Sequence, residues 1–358
     1  MKIVHVIECF AGGTFTFLVD LINELNTQKH IIIYGTSRKN MPINFKKSFP
    51  SNVTFIEWRN AQRNICFIKD LKALFELYNI LKNISDIDVI HLHSSKAGFL
   101  GRMVSSILLK SNKVVYTSHA VSFLRLDITK KKKLMFIWME KIASYFGGKI
   151  IACSKSEKDE FLKYGIKNVN YINNGIQPLK EKKKENITKK ITIISIGRLS
   201  IQKNPKLFNK IAQKFIDNEN IQFIWCGDGE LRCELISKNI KCTGWINKNE
   251  ILHYLSSADI YLSTSLWEGL PLSVLEAMSV GVPLVLSNCV GNKDLIKDNG
   301  YLYKDINEAI KSINYLKDNK DILVSMQEIS KKFFYRNFTI NKMGNDYLNL
   351  YRSVTEEI

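Results

Sequence analysis

The sequence has no apolar run long enough to cross a bilayer and few residues that interrupt regular structure. Its longest apolar runs, Ile191–Gly197 and Val280–Leu286, are far shorter than the roughly 20 residues that a transmembrane helix requires. Only six prolines occur in 358 residues, and the overall composition is close to that of soluble globular chains. These features exclude a membrane-spanning protein, a collagen-like chain and a mainly disordered chain.

Cysteines are also few, and their number is odd. The seven cysteines cannot all pair within one chain, and Cys226, Cys233 and Cys242 are too widely spaced for a zinc knuckle. A short β-branched run from Lys2 to Ile7 opens the chain without the small-residue cleavage site of a signal peptide. We therefore expect a cytoplasmic protein with reduced, mostly buried thiols.

Acidic residues are scarce relative to basic ones. The chain has 52 Lys and Arg against 34 Asp and Glu, a formal net charge of +18. Residues 1–178 carry 26 basic and 13 acidic side chains, a net +13, whereas residues 179–358 carry 26 and 21, a net +5. The amino-terminal half therefore suits nucleic acid, an anionic membrane surface or a phosphorylated acceptor. A composition rich in Lys, Asn and Ile would also raise the charge without any functional cause.

What the chain does contain is an alternation of short apolar runs with longer amphipathic segments. This alternation is typical of β-α units around a parallel sheet, and 358 residues are expected to form about two such domains. The predicted helix Phe67–Leu81 has one apolar face, which carries Leu71, Leu74, Phe75, Tyr78 and Leu81. The predicted strands are Lys2–Ile7, Ile31–Tyr34, Val53–Trp58, Val89–His93, Val114–Ser118, Ile150–Cys153, Asn170–Ile172, Thr192–Ile196, Gln222–Cys226, Lys241–Gly244, Ile260–Ser263 and Leu284–Leu286.

The segments between these elements predict a linker and several helix starts. Residues 181–190, EKKKENITKK, contain one apolar residue and predict the interdomain linker. The chain beyond Asp321 is expected to be helical to its end. Four helix starts carry capping residues: Ser154 with Glu157, Asn247 with Glu250, Ser273 with Glu276, and Asn204 before Pro205.

Three loops at predicted strand ends contain residue types suited to an anionic ligand. Gly12 and Gly13 precede a helix and allow a ligand to approach its amides, although an ordinary tight turn explains the same pair. Arg198 and Lys203 flank a turn into another helix and suit a diphosphate. The alternative for these two is a pair of solvated surface charges. Gly227 belongs to GDGE, a further glycine-rich turn.

A fourth loop places two carboxylates around a helix start. Glu268 lies in a Gly/Pro loop, and Glu276 follows eight residues later in the predicted helix. Backbone amides at 269–272 are expected to hold phosphate, while the two carboxylates accept hydrogen bonds from sugar hydroxyls. Glu276 has an alternative role as the capping-box partner of Ser273, whereas Glu268 has no such alternative.

Further segments belong to the same pattern, which extends over nearly the whole chain. They are HSSKAGFLGR at 93–102, SHAVSFLR at 118–125, ACSKSEKDEFLKYGI at 152–166 and INNGI at 172–176. With EGLPLSVLEAM at 268–278, GR and KN within 197–204, GDGE at 227–230 and the early glycine pair, the sequence resembles the retaining GT-B glycosyltransferases of family 4. Pro271 departs from the glycine that many relatives carry.

The resemblance implies an α/β fold of the GT-B type, with two Rossmann-like domains whose parallel sheets face each other across a cleft. Residues 1–178 would form an acceptor-binding domain, and residues 179–330 a nucleotide-sugar-binding domain. The helices of residues 331–358 would cross back toward the amino-terminal domain.

The resemblance also implies a role for each matching residue. Arg198 and Lys203 would neutralise the donor diphosphate, Glu276 would accept hydrogen bonds from the ribose, and Glu268 would hold hydroxyls of the transferred sugar. His119, at a strand end, would point toward the reacting sugar, although a histidine in such a place also commonly caps a loop. The other implied substrate-binding positions are Gly12, Gly13, Gly227, Gly269, Leu270, Pro271 and Leu272.

The implied reaction moves a hexose-type sugar from a nucleoside diphosphate, with a UDP-sugar as the expected donor. The acceptor would be a saccharide or lipid-linked molecule of bacterial O-antigen, capsule or exopolysaccharide synthesis. Enzymes of family 4 need no metal ion, so no cofactor is expected. Retention without an obvious carboxylate nucleophile implies front-face transfer, in which the leaving phosphate oxygen helps to deprotonate the acceptor.

Two other classes stay open from the residues alone. A nucleotide-sugar epimerase on the same fold would release altered sugar without an acceptor. A basic nucleic-acid-binding protein would need aromatic residues clustered among its basic ones. Most aromatic residues of this chain instead occupy periodic core positions, so no nucleic-acid partner is expected.

One basic and apolar segment, Phe123–Lys141, predicts a peripheral contact with an anionic membrane. Lys130–Lys133 precede Leu134–Met139, which include Trp138. Basic residues near such a surface gain roughly 1 kcal/mol each, and adjacent aromatic residues can enter the headgroup region. The alternative is a core helix with a solvated lysine start. A second basic stretch, Arg59–Lys72, suits the same contact, so we expect a location at the inner face of the cell membrane.

Overall fold

A computed structural model describes residues 1–37, 44–62, 64–179 and 190–356, and these residues form two compact units. The first unit comprises Met1–Leu124, Ile128–Gly175 and Ile340–Ile358. The second comprises Arg125–Asp127 and Ile176–Thr339. The predicted linker at 181–190 lies outside the described residues except for Lys190.

The first unit is built around a parallel sheet of seven strands. Its central strands are buried along almost their whole length, which explains why they read as continuous apolar runs instead of alternating patterns. The strand order across the sheet is β3-β2-β1-β4-β5-β6-β7. The strands are β1 (Lys2–Ile7), β2 (Lys29–Gly35), β3 (Val53–Trp58), β4 (Val89–His93), β5 (Val114–Thr117), β6 (Lys149–Ala152) and β7 (Val169–Tyr171), and the first five helices are α1 (Gly12–Glu24), α2 (Phe67–Lys82), α3 (Ser95–Ile107), α4 (Lys130–Tyr145) and α5 (Lys155–Lys163).

The second unit contains a parallel sheet of six strands in the order β10-β9-β8-β11-β12-β13. Its last strand was not predicted from the sequence, because it begins with a glycine, a residue that is uncommon in strands. A Cβ at Gly300 would lie 2.0 Å from the carbonyl oxygen of Leu284, so close strand packing requires the glycine. The elements are β8 (Ile191–Ile196), α6 (Pro205–Gln213), β9 (Ile221–Cys226), β10 (Ile240–Cys242), α7 (Lys248–Ser257), β11 (Ile260–Ser263), α8 (Leu272–Ser279), β12 (Leu284–Ser287), β13 (Gly300–Tyr303), α9 (Ile306–Asp318) and α10 (Lys320–Asn337).

The final helix, α11 (Ile340–Glu356), belongs to the first unit, whereas α10 belongs to the second. α11 packs against α1 and β4. Two fully buried tyrosines of α11 reach the sheet: the Tyr351 hydroxyl lies 2.7 Å from Nδ1 of His91, and the Tyr347 hydroxyl lies 3.1 Å from Oγ1 of Thr117. The change of unit therefore falls at residue 340, nine residues after the start of the helical segment expected to cross back.

The apolar face predicted for α2 is wrong in part. Its fully buried residues are Ala73, Leu77 and Leu81, whereas Leu71 and Phe75 are exposed. The carbonyl oxygen of Ala73 accepts a hydrogen bond of 2.9 Å from the buried Trp58 indole. This contact turns the small side of the helix toward the sheet and leaves larger apolar side chains outside.

The helix caps at Asn204, Asn247 and Ser154 are confirmed. Asn204 caps α6 with Pro205 at the first helical position, and Asn247 forms a complete capping box with Glu250. The Ser154 side chain accepts a hydrogen bond from the backbone N–H of Glu157, the third residue of α5. These polar residues account for helix starts at loop ends, where the first amides have no partner inside the helix.

Thiol burial differs from the expectation. No disulfide joins any of the seven cysteines, all of which lie in described parts of the chain. Cys153 and Cys226 are buried, Cys233 is exposed and the other four are half-buried, so the prediction of mostly buried thiols is wrong. Among the described helices, none is both long enough and apolar enough to span a membrane.

Parallel topology gathers the loops of interest at one edge of each sheet. In the first unit, Gly12 follows β1 and His119 follows β5. In the second unit, Arg198 follows β8, Gly227 follows β9 and Glu268 follows β11. Because all strands of a parallel sheet share one direction, these positions lie at its carboxyl edge, where open α/β sheets bind ligands.

Candidate active site

Lys203 and Glu268 form a largely buried ion pair at the carboxyl edge of the second sheet. Nζ of Lys203 donates to Oε1 of Glu268 over 2.7 Å, and their side chains are 21% and 7% exposed. Burial is the largest single influence and lowers the pKa of Lys203, but the Glu268 carboxylate, together with Tyr261 and Cys289, raises this pKa above its ordinary value. The sequence predicted each residue separately, and the structure brings them into contact.

A third side chain, Gln202, joins this pair and was not predicted from the sequence. Its Nε2 donates to Oε2 of Glu268 over 3.2 Å and to the carbonyl oxygen of Trp267 over 2.9 Å. Both carboxylate oxygens of Glu268 therefore have donors. Glutamine at this place gave no signal by itself, because an amide beside a lysine is common on protein surfaces.

The turn that carries Lys203 is docked onto the end of β11. Oγ1 of Thr264 donates to the carbonyl oxygens of Lys203 and Asn204, over 2.7 and 3.1 Å. Asn204 itself has a left-handed backbone with φ of 51° while its side chain caps α6. Asparagine tolerates this conformation better than most residues, which explains its place between the lysine and the helix.

Arg198 lies on the same turn but is more open to solvent. Its Nε and Nη2 donate to Oε2 of Glu230, over 3.0 and 2.9 Å, and the two side chains are 47% and 50% exposed. An ion pair this exposed contributes little to stability. Arg198 can therefore exchange Glu230 for a phosphate at small cost to the fold.

Gly227 is explained by packing between two loops. At Gly227, where φ is +141°, a Cβ would lie 2.1 Å from the carbonyl oxygen of Gly197, and at Gly229 it would lie 2.4 Å from that of Leu199. The Trp225 indole donates to the same Gly197 oxygen over 2.9 Å. The GDGE glycines thus let this loop lie directly against the turn that carries Arg198, and the predicted ligand contact of Gly227 stays a prediction.

The phosphate cradle predicted at Gly269–Leu272 has one fewer donor than expected. Pro271 has no N–H, so the donors of this segment are the amides of Gly269, Leu270 and Leu272. Pro271 is the N-terminal cap of α8, and its carbonyl oxygen accepts hydrogen bonds from the N–H groups of Val274 and Leu275, over 3.1 and 3.3 Å. Gly291, with φ of +83°, packs its backbone against Gly269, since a Cβ there would lie 2.6 Å from the Gly269 oxygen.

The predicted capping box of Ser273 and Glu276 is wrong. α8 begins at Leu272, and Ser273 instead accepts a hydrogen bond of 2.9 Å from the Tyr261 hydroxyl. Burial raises the pKa of Tyr261 to about 12, so the phenol keeps its proton and ties α8 to the sheet. Glu276 is half-buried on the second turn of α8, and its predicted ribose contact stays a prediction.

In the first unit, Gly12 and Gly13 open α1. Gly12 has φ of +64°, and neither glycine has an atom within 4 Å of where a Cβ would lie. The helix start has no side-chain cap. Space and uncapped amides are thus present together, as an anion-binding helix start requires.

His119 follows β5 in an unusual backbone conformation. φ is 52° at His119 and 72° at Ala120, which places two consecutive non-glycine residues in the left-handed region. Such residues cost of order 1–3 kcal/mol each and persist only when their surroundings hold them. The backbone at this strand end is therefore kept by specific contacts.

Glu157 supplies those contacts. Its fully buried carboxylate accepts hydrogen bonds from the hydroxyl of Ser118 and the N–H of Val121, both over 2.8 Å, and from the N–H of Cys153 over 2.7 Å. Burial raises the pKa of Glu157, while these donors oppose the shift. The sequence assigned Glu157 to a capping box with Ser154; in the structure its carboxylate holds the His119 loop.

The ring of His119 takes protein partners through both nitrogens. Nε2 lies 3.0 Å from Nδ1 of His93, and Nδ1 lies 3.8 Å from Sγ of Cys153. Phe17 packs edge-on against the ring at 4.6 Å between centroids. Burial lowers the pKa of His119 to about 3, so the imidazole is neutral at physiological pH. Its predicted approach to the reacting sugar stays a prediction.

The single Asp-x-Asp of the sequence, Asp86-Ile87-Asp88, lies at the opposite edge of the first sheet from Gly12 and His119. Asp88 immediately precedes β4, and its Oδ2 accepts the backbone N–H of Lys2 over 2.7 Å. The Asp86 carboxylate lies 3.9 Å from Nζ of the same lysine. These positions are at the amino edge of the first sheet, so the pair joins the starts of β1 and β4.

Two family descriptions match adjacent parts of the chain. "Glycosyltransferase Family 4" matches residues 11–178, and "Glycosyl transferases group 1" matches residues 177–333. Two Rossmann-like parallel sheets, each with glycine-rich loops at its carboxyl edge, define the class as GT-B glycosyltransferases.

Curated relatives agree with this class. The chain is 33% identical over 321 residues to the UDP-Gal:alpha-D-GlcNAc-diphosphoundecaprenol alpha-1,3-galactosyltransferase of Escherichia coli, which covers 81% of each chain. It is 31% identical over 250 residues to the O-antigen biosynthesis glycosyltransferase WbnH of Escherichia coli, with 67% of this chain and 70% of WbnH covered. The chain belongs to the family 4 glycosyltransferases with the GT-B fold.

Solved structures share the fold at low sequence identity. Sucrose-phosphate synthase from Thermosynechococcus elongatus superposes with a TM-score of 0.84 at 14% identity and covers all of both chains. HepE of Anabaena, in complex with UDP and glucose, superposes with a TM-score of 0.80 at 17% identity, over 99% of this chain and 100% of HepE. These likenesses support the fold alone.

Proposed function

We propose that this glycosyltransferase moves a hexose from a UDP-sugar to a lipid-linked saccharide acceptor, with retention of anomeric configuration, in the synthesis of a bacterial surface polysaccharide. The observation that carries the proposal is the buried Lys203–Glu268 pair at the carboxyl edge of the second sheet. The relative that uses UDP-Gal and a diphosphoundecaprenol-linked acceptor, at 33% identity, supports galactose as the first sugar to test.

The donor half of the proposal rests on charge and on helix geometry. Lys203 and Arg198 lie on one turn. At the neighbouring strand end, the start of α8 offers the amides of Leu272 and Ser273, since those of Val274 and Leu275 donate to the Pro271 carbonyl oxygen. A diphosphate placed there would meet two cations and a helix N-terminus. Glu268 can accept hydrogen bonds from hydroxyls of the transferred sugar while Lys203 and Gln202 hold it in place.

The chemical step follows from this electrostatic arrangement. The bond between the anomeric carbon and the diphosphate oxygen breaks, and the acceptor oxygen forms a bond on the same face of the sugar. The acceptor proton passes to the leaving phosphate oxygen, so charge and atoms balance without an enzyme nucleophile. Arg198, Lys203 and the α8 amides stabilise the departing diphosphate, and we propose that no metal ion is required.

The test is a transfer assay with the full chain and a synthetic GlcNAc-diphospho-lipid acceptor. UDP-Gal, UDP-Glc and UDP-GlcNAc are compared as donors, each with and without excess EDTA, and the anomeric configuration of the product is read by NMR. We expect an α-linked product from one UDP-hexose, with equal rates in EDTA. An inverted product, or loss of transfer in EDTA that magnesium or manganese restores, would contradict retention or metal independence respectively.

An epimerase would behave differently in the same assay. It would convert the donor sugar, or release altered free sugar, in tubes that lack the acceptor. We expect neither product without acceptor, beyond slow donor hydrolysis. Acceptor-independent sugar conversion would replace the transferase proposal with the epimerase.

We also propose that the first unit rests on an anionic membrane, where a lipid-linked acceptor would be presented. The support is an outer surface on α2 and α4, which both pack against α3. On α4, Leu134 and Trp138 are each 66% exposed, and a shallow groove is lined by Leu134, Met135, Ile137, Trp138 and Lys141. On α2, Phe67 is 78% and Phe75 is 65% exposed.

Basic residues surround these exposed apolar side chains. Lys130, Lys131 and Lys132 are exposed in the first turn of α4, and Lys69 and Lys72 are exposed on α2. Stable peripheral binding needs two signals. Here they are apolar side chains that enter the headgroup region and lysines that contact anionic lipid. If α4 were only a core helix, that would explain why Ile137 is buried. It would not explain the exposed Leu134 and Trp138 on the outer face of α4.

Vesicle co-sedimentation tests this surface. We expect binding to phosphatidylglycerol-containing vesicles and little to phosphatidylcholine alone. Changing Lys130–Lys133 to Gln, or Trp138 and Phe75 to Ser, should reduce binding at least tenfold. The matched control changes four exposed lysines of the second unit, Lys238, Lys248, Lys304 and Lys311, to Gln and should retain binding. Equal loss in this control, or equal binding to both vesicle types, would contradict the proposal.

A further inference from the structure

Four imidazoles form a row across the first sheet, in the order His30, His5, His93 and His119, and we call this row the histidine file. Nε2 of His5 lies 3.1 Å from Nδ1 of His30, Nδ1 of His5 lies 3.1 Å from Nε2 of His93, and Nδ1 of His93 lies 3.0 Å from Nε2 of His119. Neighbouring ring centroids are 5.3, 5.4 and 5.3 Å apart, and neighbouring planes differ by 27°, 24° and 20°. The rings therefore meet edge to edge through their nitrogens.

Strand register explains how residues far apart in sequence form this file. His30 pairs with Ile3, two residues before His5 on β1, and Ile7, two residues after His5, pairs with His93 on β4. His93 in turn pairs with Thr117 of β5, two residues before His119. Each step crosses to the adjacent strand and advances two residues, and a two-residue step keeps the side chain on the same face of a sheet.

The inner end of the file determines the direction of every hydrogen bond in it. Nε2 of His30 lies 2.9 Å from the carbonyl oxygen of Leu25, and a carbonyl can only accept. His30 must therefore carry its proton on Nε2, which leaves Nδ1 to accept from Nε2 of His5. The same reasoning then applies to His93 and to His119, because each neutral imidazole has one donor and one acceptor.

We propose that His30, His5 and His93 are positioning residues that lock His119 in the tautomer with its proton on Nε2 and a lone pair on Nδ1. The Nδ1 lone pair then faces the Cys153 thiol, 3.8 Å away, and the imidazole beside the ligand edge is uncharged with a fixed orientation. The file ends at the carbonyl oxygen of Leu25, which cannot take up a proton at neutral pH. The file therefore fixes the tautomer of His119 and does not carry protons away from it. This inference does not depend on which sugar the enzyme transfers.

Burial and charge around the file agree with four neutral rings. His5, His30 and His93 are at most 1% exposed, and burial together with neighbouring histidines lowers the pKa of His5 and His93 well below the ordinary value. His91 stands beside the file, with both nitrogens bonded elsewhere, to Tyr351 and Thr117.

A metal ion is the competing occupant. Single nitrogens of His5, His91 and His93 lie within 4.8 Å of one another. An ion there would have to replace the hydrogen bonds that those nitrogens already make, and the satisfied network gives it no vacant lone pair. The NMR experiment described below therefore includes a sample with added zinc.

Histidine-selective ¹⁵N NMR of the full chain tests the proposal. The two-bond ¹H–¹⁵N correlation pattern distinguishes the two neutral tautomers and the cation. In the wild type we expect His5, His30, His93 and His119 all to show an unprotonated Nδ1 at neutral pH. Finding any of the four as the other tautomer or as a cation would overturn the lock, and this result needs no variant to fold.

Variants then test transmission along the file. His30→Leu removes the inner acceptor and should convert His119 to a mixture of tautomers, whereas His30→Gln, which can still accept from His5, should preserve the wild-type pattern. Tyr351→Phe, which removes a bond of His91 outside the file, is the matched control and should leave His119 unchanged. An unchanged His119 in folded His30→Leu, or stoichiometric uptake of added zinc that shifts the His5 and His93 signals, would contradict the proposal.

Discussion

Individual side chains at the second sheet serve the fold and the proposed site to different degrees. Glu268 is 7% exposed on its side chain and has donors on both oxygens, whereas Arg198 is 47% exposed and pairs with a solvated partner. Removing a partner from a buried charge costs far more than breaking an exposed pair. Arg198 and Lys203 should therefore behave differently when substituted, although both are assigned to the donor diphosphate.

Substituting the two cations should separate binding from stability. Arg198→Ala and Lys203→Ala should each weaken donor use, because each removes a charge-assisted contact worth about 1.5–3 kcal/mol. Arg198→Ala should leave the melting temperature unchanged, whereas Lys203→Ala should also lower it, since the largely buried Glu268 carboxylate then loses its cationic partner. Steady-state kinetics at low donor concentration and calorimetry check both effects. Wild-type kcat/KM in both variants would remove the diphosphate assignment.

The two glutamates should differ in kinetic effect. Glu268→Gln keeps the size of the side chain but removes the charge that faces Lys203, so transfer should fall strongly. Glu276→Gln should mainly raise the donor KM, because the ribose contact contributes to binding more than to the chemical step. The measurement is kcat and KM with melting temperature alongside. If Glu268→Gln unfolded the protein and spared specific activity, Glu268 would be structural.

At the scale of elements, a buried polar cluster joins α3, α4 and β5. Arg102, 0% exposed, donates to Glu140 over 2.7 Å and lies over the ring of Tyr116, whose hydroxyl donates to the same carboxylate over 2.8 Å. Gly98 allows this arrangement, because a Cβ there would lie 2.2 Å from the Tyr116 ring. The family segment HSSKAGFLGR thus contains packing residues between the strand end and the helix.

Breaking that cluster should destabilise the first unit without touching the donor site. Arg102→Met or Glu140→Leu alone should lower the unfolding free energy by about 3–5 kcal/mol, because each leaves the other charge buried and unpaired. The double variant should recover much of the loss. Urea unfolding of the single and double variants measures the coupling, and simple additivity would show that the two charges do not act as a pair.

At the scale of the whole molecule, five buried or half-buried histidines make stability depend on pH. Burial lowers the pKa of His5, His30, His91, His93 and His119 below the ordinary 6.5, to about 3 for His119. Below pH 6.5 the unfolded chain binds protons that the folded chain does not. Stability is therefore fully present above that pH and falls as the pH drops toward the folded pKa values.

The free energy of unfolding, measured by urea titration from pH 7.5 to 5.5, should decrease by about 1 kcal/mol for each of these histidines at the acidic end. His91→Gln should reduce the dependence of this free energy on pH by one proton. A midpoint that stayed constant over this range would show that the folded chain binds these protons as readily as the unfolded chain.

Local pattern was enough to predict most strands and the loops that follow them. A continuous β-branched run such as that in β4 is recognisable without its neighbours, and so are the asparagine caps of α6 and α7. Arg198, Lys203 and Glu268 could be chosen as candidate site residues because charged residues in glycine-rich turns after strands have few structural explanations. These properties depend on residues close together in the chain, which is why the sequence determined them by itself.

Contacts between distant segments were decided only by the tertiary structure. The sequence predicted Glu157 as a helix cap, yet its carboxylate binds a loop more than thirty residues away, because burial demands partners that a helix start cannot supply. In the same way, Gln202 is recognisable as part of the candidate site only through its hydrogen bond to Glu268, a residue distant in sequence. The histidine file depends on strand order and on a two-residue stagger between adjacent strands. Register is set by how whole strands pack, so no local pattern around any one histidine could reveal it.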